Sequence, residues 1–246
     1  MIGRPRVHHR LTDSTNERGK ELAIAGAPHG TLITADEQSA GRGRQGRAWT
    51  APPKSAVLMS VVLRGLDERD SLLPFAAALA VCEACECEGG SPTCQIKWPN
   101  DVWINGKKVA GILIEGRPQE GWAVLGIGLN VFIDTDDFPP ELRDAATSLL
   151  IEYSAPDVEV MIEEIVSHLD AWLSTDPAEL LAAWRNRDAL FGRPVRWENG
   201  GKEGTAAGVD DSGRQVGRDA RRPADRVVGR GGRLRWQGRC GGLHLR

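Results

Sequence analysis

The stretch GRGRQGRAWTAPP, Gly41 to Pro53, decides which fold the chain can adopt. Its glycines at 41, 43 and 46 spell G-x-G-x-x-G, the dinucleotide-binding fingerprint, and the same letters nearly spell a P-loop. A dinucleotide fold needs a helix that starts inside the glycines, so that its N-terminus meets the pyrophosphate. Here the glycines run through Ala48-Trp49-Thr50-Ala51 into Pro52-Pro53, and the prolines forbid a helix at that point. A P-loop closes with Lys and then Ser or Thr for magnesium, whereas this chain has Arg47 and Ala48. What survives is a loop of anion-binding composition. Glycines let backbone N–H groups approach an anion, and Arg42, Arg44 and Arg47 offer planar forks for carboxylate or phosphate oxygens. A solvated Arg/Gly loop has the same composition, so neighbouring segments have to decide between the two.

Outward from the loop, strands and helices alternate without regular βαβ repetition. TDSTNERGKELAIAG (12–26) predicts a helix capped by Ser14 or Thr15 and left at Gly26. TLITA (31–35) and SAVLMSVVLR (55–64) are strand-like, a helix is expected from about Ser71 to Glu86, and QIKW (95–98) is a short strand before Pro99. DVWINGKKVAGILIEG (101–116) holds two β-runs about Asn105-Gly106, a strong hairpin signal, and WAVLGIGLNV (122–131) is a further strand. From Asp157, Met161, Ile165, Val166, Leu169, Trp172 and Leu173 recur at helical spacing. DPAELLAAWRNRDALF (176–191) predicts a helix ended by Gly192 and Pro194. Hairpin-linked strands with interspersed helices indicate an α+β domain over 1–191, with a mixed or antiparallel sheet and flanking helices. Residues 192–246 are expected to form a small β-module that starts with PVRWENG and turns at Asp211–Gly213. After Gly213 apolar alternation is lost and the chain becomes Arg/Gly-rich; disorder, a nucleic-acid tail and a sequence altered relative to its relatives all remain open.

Charge narrows the partners. The whole chain carries −3, but residues 214–246 hold ten Arg, no Lys and two Asp, a net of +8, which leaves −11 on the rest. An acidic body with one compact basic loop suits a local anion site better than the broad basic face of a nucleic-acid binder. The N-terminus, MIGRPRVHHRLTDST, has no apolar core of a secretory signal, and the longest mainly apolar stretch, LLPFAAALAVCEA, is too short to cross a bilayer. A cytoplasmic location without membrane attachment is therefore expected. Cys82, Cys85, Cys87 and Cys94 fall close together, which invites a zinc site, but Cys82 and Cys85 lie in an apolar helical run where thiols pack as small hydrophobes, and Cys87 would face another way.

Other segments favour the anion site. KWPND (97–101) sets Lys97 at a strand end, then Asn100 and Asp101 in a Pro-led turn; Asp101 can also simply cap that turn. Lys108 begins an almost wholly apolar strand beside the Asn-Gly turn, where a lysine is usually just a hairpin end in water. GIGLN (126–130) brings two glycines, Gly126 and Gly128, where a backbone can pass close to a ligand, with Asn130 at the strand end.

In order along the chain, STN (14–16), QxAGRGRQGRxW (38–49), KWPND (97–101), GKKVAGIL (106–113), GIGLN (126–130) and ATSL (146–149) resemble the biotin protein ligases over about residues 10–213. The resemblance implies the catalytic domain shared by biotin and lipoate ligases and related to class II aminoacyl-tRNA synthetases, followed by an SH3-like C-terminal module. It also implies the ligase-only type, without an N-terminal helix-turn-helix and without specific DNA binding; a homodimer is left open. Biotin and ATP, with Mg2+, would form biotinyl-5′-AMP, and a lysine of the carboxyl carrier domain of a biotin-dependent carboxylase would then take the biotin. By the same resemblance Ser14, Thr15, Asn16 and Gln38 would hold the ring end of biotin. Gly41, Arg42, Gly43 and Arg44 would wrap the carboxylate and α-phosphate, Lys108 would stabilise charge at the reacting centre, and Gly111 and Gly128 would let backbone run beside biotin. Arg44, Arg47, Trp49, Lys97, Asn100 and Asn130 fall to the ATP side, and Asp101 aids the incoming lysine; no metal ligands are identified. The rivals are a lipoate or octanoate ligase or transferase of the same fold, and a nucleic-acid binder that uses the tail.

Overall fold

A computed structural model of the chain describes residues 1–66, 71–86, 93–154, 156–197, 202–219, 225–229 and 235–236, the last two stretches by backbone alone. Its main sheet has seven strands: β1 (Arg6–His9), β2 (Leu32–Ala35), β3 (Ala56–Arg64), β4 (Cys94–Lys97), β5 (Asp101–Ile104), β6 (Lys107–Arg117) and β7 (Trp122–Asn130). They lie in the order β1-β2-β3-β7-β6-β5-β4, with β1–β2 parallel and every other pair antiparallel. The helices are α1 (Thr15–Ile24), α2 (Leu73–Glu86), α3 (Leu149–Glu152), α4 (Val158–Ser174) and α5 (Pro177–Arg185).

Period-two alternation along β3 and β7 splits the sheet into two unlike faces. Val57, Met59, Val61 and Leu63 pair with Leu129, Ile127, Leu125 and Ala123, and all but Ala123 join the large core cluster under α2 and α4. Up to Cys82 α2 is apolar all round, with Ala76, Ala77, Ala78, Leu79, Ala80 and Val81 buried, so this part lies inside the protein between the sheet and α4. On the other face, Val62, Val124 and Trp122 pack with Ala23 beneath α1, and further along Leu58 and Ala56 pack with Ile133 and Phe138. Between those two apolar patches the same face carries Ser60, Gly126 and Gly128, where little or no side chain stands. The Asn105-Gly106 turn joins β5 to β6 with positive φ at both residues (50° and 80°), as a type I′ hairpin requires.

Two local expectations change. The helix predicted over 176–191 stops at Arg185, because the next residues run along the edge of β4: Ile96 N donates to Arg187 O and Ala189 N to Ile96 O. Tertiary pairing outcompetes helix propensity there. Beyond Gly213, where apolar alternation fails, the backbone still forms strands. β8 (Pro194–Trp197), β9 (Lys202–Val209), β10 (Gln215–Asp219), β11 (Asp225–Gly229) and β12 (Arg235–Trp236) make a second sheet in the order β11-β10-β9-β8-β12. On β10 the inward positions are Gln215, whose amide donates to Gly208 O, and Gly217, so burial is achieved without an apolar pattern. The turn before β10 seats this sheet on the first: Trp98 Nε1 donates to Gly213 O at 3.1 Å, and Gly213 abuts the Phe75 ring.

Cys82, Cys85 and Cys94 are buried free thiols, with Cys82 and Cys85 one helical turn apart on α2. Burial and a hydrogen bond to Cys94 push the Cys82 thiol up. Cys87 lies outside the described residues. Nearby, Arg187 grips Glu86 with both terminal nitrogens at 2.7 and 2.8 Å.

Asp188, on the segment beside β4, is raised to about 6 by burial, which outweighs hydrogen bonds from the Leu190 and Phe191 amides. Because its folded value lies above the ordinary 3.8, this group contributes full stability below about pH 4 and loses it as pH rises through about 6. Asp188→Asn is expected to stabilise the protein at pH 8 by up to roughly 3 kcal/mol and to have little effect at pH 4, read as the difference in chemical denaturation midpoints.

Candidate functional site

The bare middle of the sheet is the floor of a cavity of about 530 Å³. Gly128 on β7 pairs with Gly111 on β6, and Leu113 with Gly126, so three glycines cluster on one face. A Cβ on Gly128 would lie 2.5 Å from the Trp49 indole, and one on Gly126 would collide with Asn16 Oδ1. Any side chain at either position would displace those groups. The glycines thus keep Trp49 and Asn16 close to the backbone of the sheet.

The wall of the cavity is the Gly41–Trp49 loop, which closes on itself. Trp49 N donates to Gly41 O at 2.9 Å, Gly43 N donates to Arg47 O at 2.7 Å, and Gln45 takes the left-handed conformation (φ 59°) at the tip. Proline follows at 52 and 53, and no helix starts from the glycines; the segment 44–46 is a single 3-10 turn. On its outer side the loop borders a second, wider cavity of about 840 Å³ shared with Phe75, Trp98 and Gly213.

Five cations meet here, and most have a fixed partner. Lys108 Nζ lies 2.6 Å from Asp101 Oδ1 and 5.6 Å from the centre of the Trp49 ring. Lys97 Nζ sits 4.6 Å over the Trp103 ring, and burial holds its amine below the usual lysine range despite the pull of Asp101. Arg44 Nη1 donates to Asn100 Oδ1 at 3.1 Å, and burial lowers its pKa too. Arg42 Nη1 reaches Glu17 at 2.5 Å, and Arg47 Nε donates to Arg44 O. A bulge aims Lys108. Asp101 pairs with Gly111, Val102 with Ala110 and Trp103 with Lys108, which leaves Val109 as the extra residue of β6. Val109 and Ala110 are both in the core, so the strand's alternation resets and Lys108 turns to the cavity face beside Gly111.

Another part of the cavity lining is neutral and hydrogen-bonded. Gln38 Oε1 accepts from Thr15 N and Thr15 Oγ1, and Ser60 Oγ contacts Thr15 Oγ1 at 2.8 Å and Asn16 Oδ1 at 2.7 Å. Ser14 occupies the N-cap position of α1 but makes no side-chain cap bond. Asn100 donates to Ile112 O and Asn130 to Thr147 O, so both amides brace backbone rather than stand free. Trp49 Nε1 is buried against Gly128 without a hydrogen-bond partner.

Of the residues singled out in the sequence, Ser14, Thr15, Asn16, Gln38, Arg42, Gly43, Arg44, Arg47, Trp49, Lys97, Asn100, Asp101, Lys108, Gly111, Gly128 and Asn130 all line the one cavity. Gly41 lines its neighbour. Sequence reasoning missed Ser60, an apolar strand's single hydroxyl, and Glu115, which accepts from Asn16 Nδ2 at 2.9 Å. It also missed Phe138 and Ile133, which close one end of the cavity. Ser60 had a legible signal, because a lone polar residue inside a wholly apolar strand asks for a buried partner.

Residues 8–131 match the model of the biotin/lipoate A/B protein ligase family. The biotin--[acetyl-CoA-carboxylase] ligase of Mycobacterium tuberculosis is 37% identical over 217 residues, covering 82% of this chain and 79% of that protein. The bifunctional ligase/repressor BirA of Bacillus subtilis is 36% identical over 232 residues, covering 87% of this chain and 69% of its own. Among solved structures, the biotin protein ligase from Aquifex aeolicus in complex with biotin and ATP superposes with a TM-score of 0.80 at 25% identity, covering 96% of this chain and all of that one. With glycine floor, arginine loop and mixed sheet in that company, the chain belongs to the biotin/lipoate A/B protein ligase family.

Proposed function

We propose that this chain is an ATP-dependent biotin protein ligase, which activates biotin as biotinyl-5′-AMP and then passes it to a lysine of a biotin carboxyl carrier domain. One observation carries this: Arg42, Arg44, Arg47 and Lys108 share a single cavity with a neutral hydrogen-bonding group, Thr15, Asn16 and Gln38. The neutral end suits the uncharged ureido ring and the cationic end suits a carboxylate that meets a phosphate. The Mycobacterium tuberculosis relative and the Aquifex aeolicus structure carry biotin in their names, which supports biotin over lipoate or octanoate as the acid.

In the first step the biotin carboxylate oxygen attacks the α-phosphorus of ATP, a carboxylic–phosphoric mixed anhydride bond forms, the α–β phosphoanhydride bond breaks, and pyrophosphate leaves. Two unit charges ~4 Å apart at an effective dielectric near 20 repel by roughly 4 kcal/mol, about three decades in rate. Arg44 and Lys108 are positioned before the anions arrive, so they oppose that repulsion without reorganising. Arg42 covers the carboxylate from the loop, and the Trp49 ring lines the same space. Arg47, Lys97, Asn100 and Asn130 stand at the nucleotide end, the two amides by holding the backbone there. In the second step the carrier lysine attacks the mixed anhydride and AMP leaves. Asp101 is the group that can take or orient the incoming ammonium proton.

Magnesium belongs to this reaction as the counter-ion of the triphosphate; among the described residues no group of three His, Cys, Asp or Glu side chains could hold a metal ion. Among those residues, no helix is long and apolar enough to cross a membrane. We place the enzyme in the cytoplasm and its catalytic unit in residues 1–191, with 192–246 as a small C-terminal module whose Gly213 borders the cavity outside the loop.

Biotin-dependent ATP–pyrophosphate exchange, run in parallel with lipoate and octanoate, tests the assignment: exchange is expected with biotin alone. Lys108→Ala should cut that exchange roughly 10²–10³-fold while the circular dichroism spectrum stays unchanged. Near-normal exchange in that variant would remove Lys108 from the chemistry. Arg42→Ala should release biotinyl-AMP faster than the wild-type protein, since the loop covers the intermediate, and a filter-binding chase measures that rate.

A further inference from the structure

Beside the cavity lies a four-charge network of which the two chemical steps use only Arg42. Glu17 on α1 and Glu115 on β6 each receive the same two cations. Lys20 Nζ lies 2.7 Å from Glu17 Oε1 and 3.4 Å from Glu115 Oε1, and Arg42 Nη1 lies 2.5 and 3.5 Å from those atoms. The carboxylate side chains are only 27% and 26% exposed, whereas Arg42 is 51% exposed. Two half-desolvated carboxylates this close repel unless cations stand between them, so each has strong reason to keep Arg42.

The network also has a neutral arm. Glu115 Oε2 accepts from Asn16 Nδ2 at 2.9 Å, and Asn16 Oδ1 accepts from Ser60 Oγ at 2.7 Å. A continuous chain of contacts therefore runs from the hydrogen-bonding end of the cavity, through Glu115, to the first arginine of the loop. The backbone bonds of the loop, Gly43 N to Arg47 O and Trp49 N to Gly41 O, set its shape but do not fasten it to α1 or β6. Arg42 does that on one side, and Arg44 fastens it to Asn100 on the other.

We propose that Glu115, together with Glu17, positions Arg42: the pair holds the loop shut over the cavity and couples that closure, through Asn16, to the group that receives the ring end of the ligand. This rests on the ligase function above. Glu115 and Glu17 act through Arg42 and touch no reacting atom.

Two readouts test the proposal, one of them independent of turnover. Trypsin cuts after arginine, and the loop holds three. In the ligand-free protein the double variant Glu17→Gln/Glu115→Gln is expected to be cut in the loop about threefold to fivefold faster than wild type, the upper range for part-exposed ion pairs. Its melting temperature should stay close to wild type, because glutamine still accepts from Asn16. Glu17→Gln alone, which leaves β6 untouched, should give a smaller increase in the same direction. In exchange assays Glu115→Gln should raise KM for biotin while kcat holds, and should speed release of biotinyl-AMP. Added to Arg42→Ala, it should speed release no further, since both act through one guanidinium. Wild-type cleavage rates in the double variant, or a full multiplicative loss in the Glu115→Gln/Arg42→Ala combination, would overturn the proposal. Absence of biotin-dependent exchange in the wild-type protein would instead overturn the functional assignment, and the protease rates would still decide this one.

Discussion

Five like charges crowded into one cavity are the constraint on which the rest of this structure depends. Arg42, Arg44, Arg47, Lys97 and Lys108 repel one another before any substrate arrives, by an amount comparable to the attraction each can offer an anion. The protein answers with placed counter-groups: Glu17 and Glu115 for Arg42, Asp101 for Lys108, the Asn100 amide for Arg44 and the Trp103 ring for Lys97. Each counter-group sits on an ordered element, α1, β5, β6 or the turn between β4 and β5. The acidic body of the chain is thus the condition for its basic loop.

The sheet supplies geometry to match. Its two faces are kept apart by strict alternation on β3 and β7, one face closed by α2 and α4, the other left open in the middle by glycines and Ser60. An open face would be a packing defect if it were not filled, and Trp49 and Asn16 fill part of it. The bulge at Val109 then moves Lys108 from the face it would have taken to the face where it meets Asp101. One extra residue in a strand decides whether the ammonium points into the core or into the cavity.

Much of this was legible in the letters. Pro52-Pro53 ruled out a nucleotide fold of the dinucleotide type, Asn105-Gly106 placed the hairpin, and the period-3.6 run after Asp157 marked α4. Less was legible where a contact between distant segments overrode a local preference. The end of α5 was missed because residues after Arg185 pair with β4, more than ninety positions upstream in sequence. β10 was missed because Gln215 and Gly217 take the buried positions, and neither is apolar. Glu115 carries no local signal in the sequence, and only its approach to Asn16 and Arg42 gives it a role.

By itself, then, the sequence determined which groups are available: forks for oxyanions, glycines that leave room, and residues that start and stop each strand, because these follow from covalent structure and local backbone sterics. Tertiary structure alone decided which of them face each other. Strand order, the register of β6 against β7 and the bulge beside β5 are set by packing between segments remote in the chain, and no local preference encodes them.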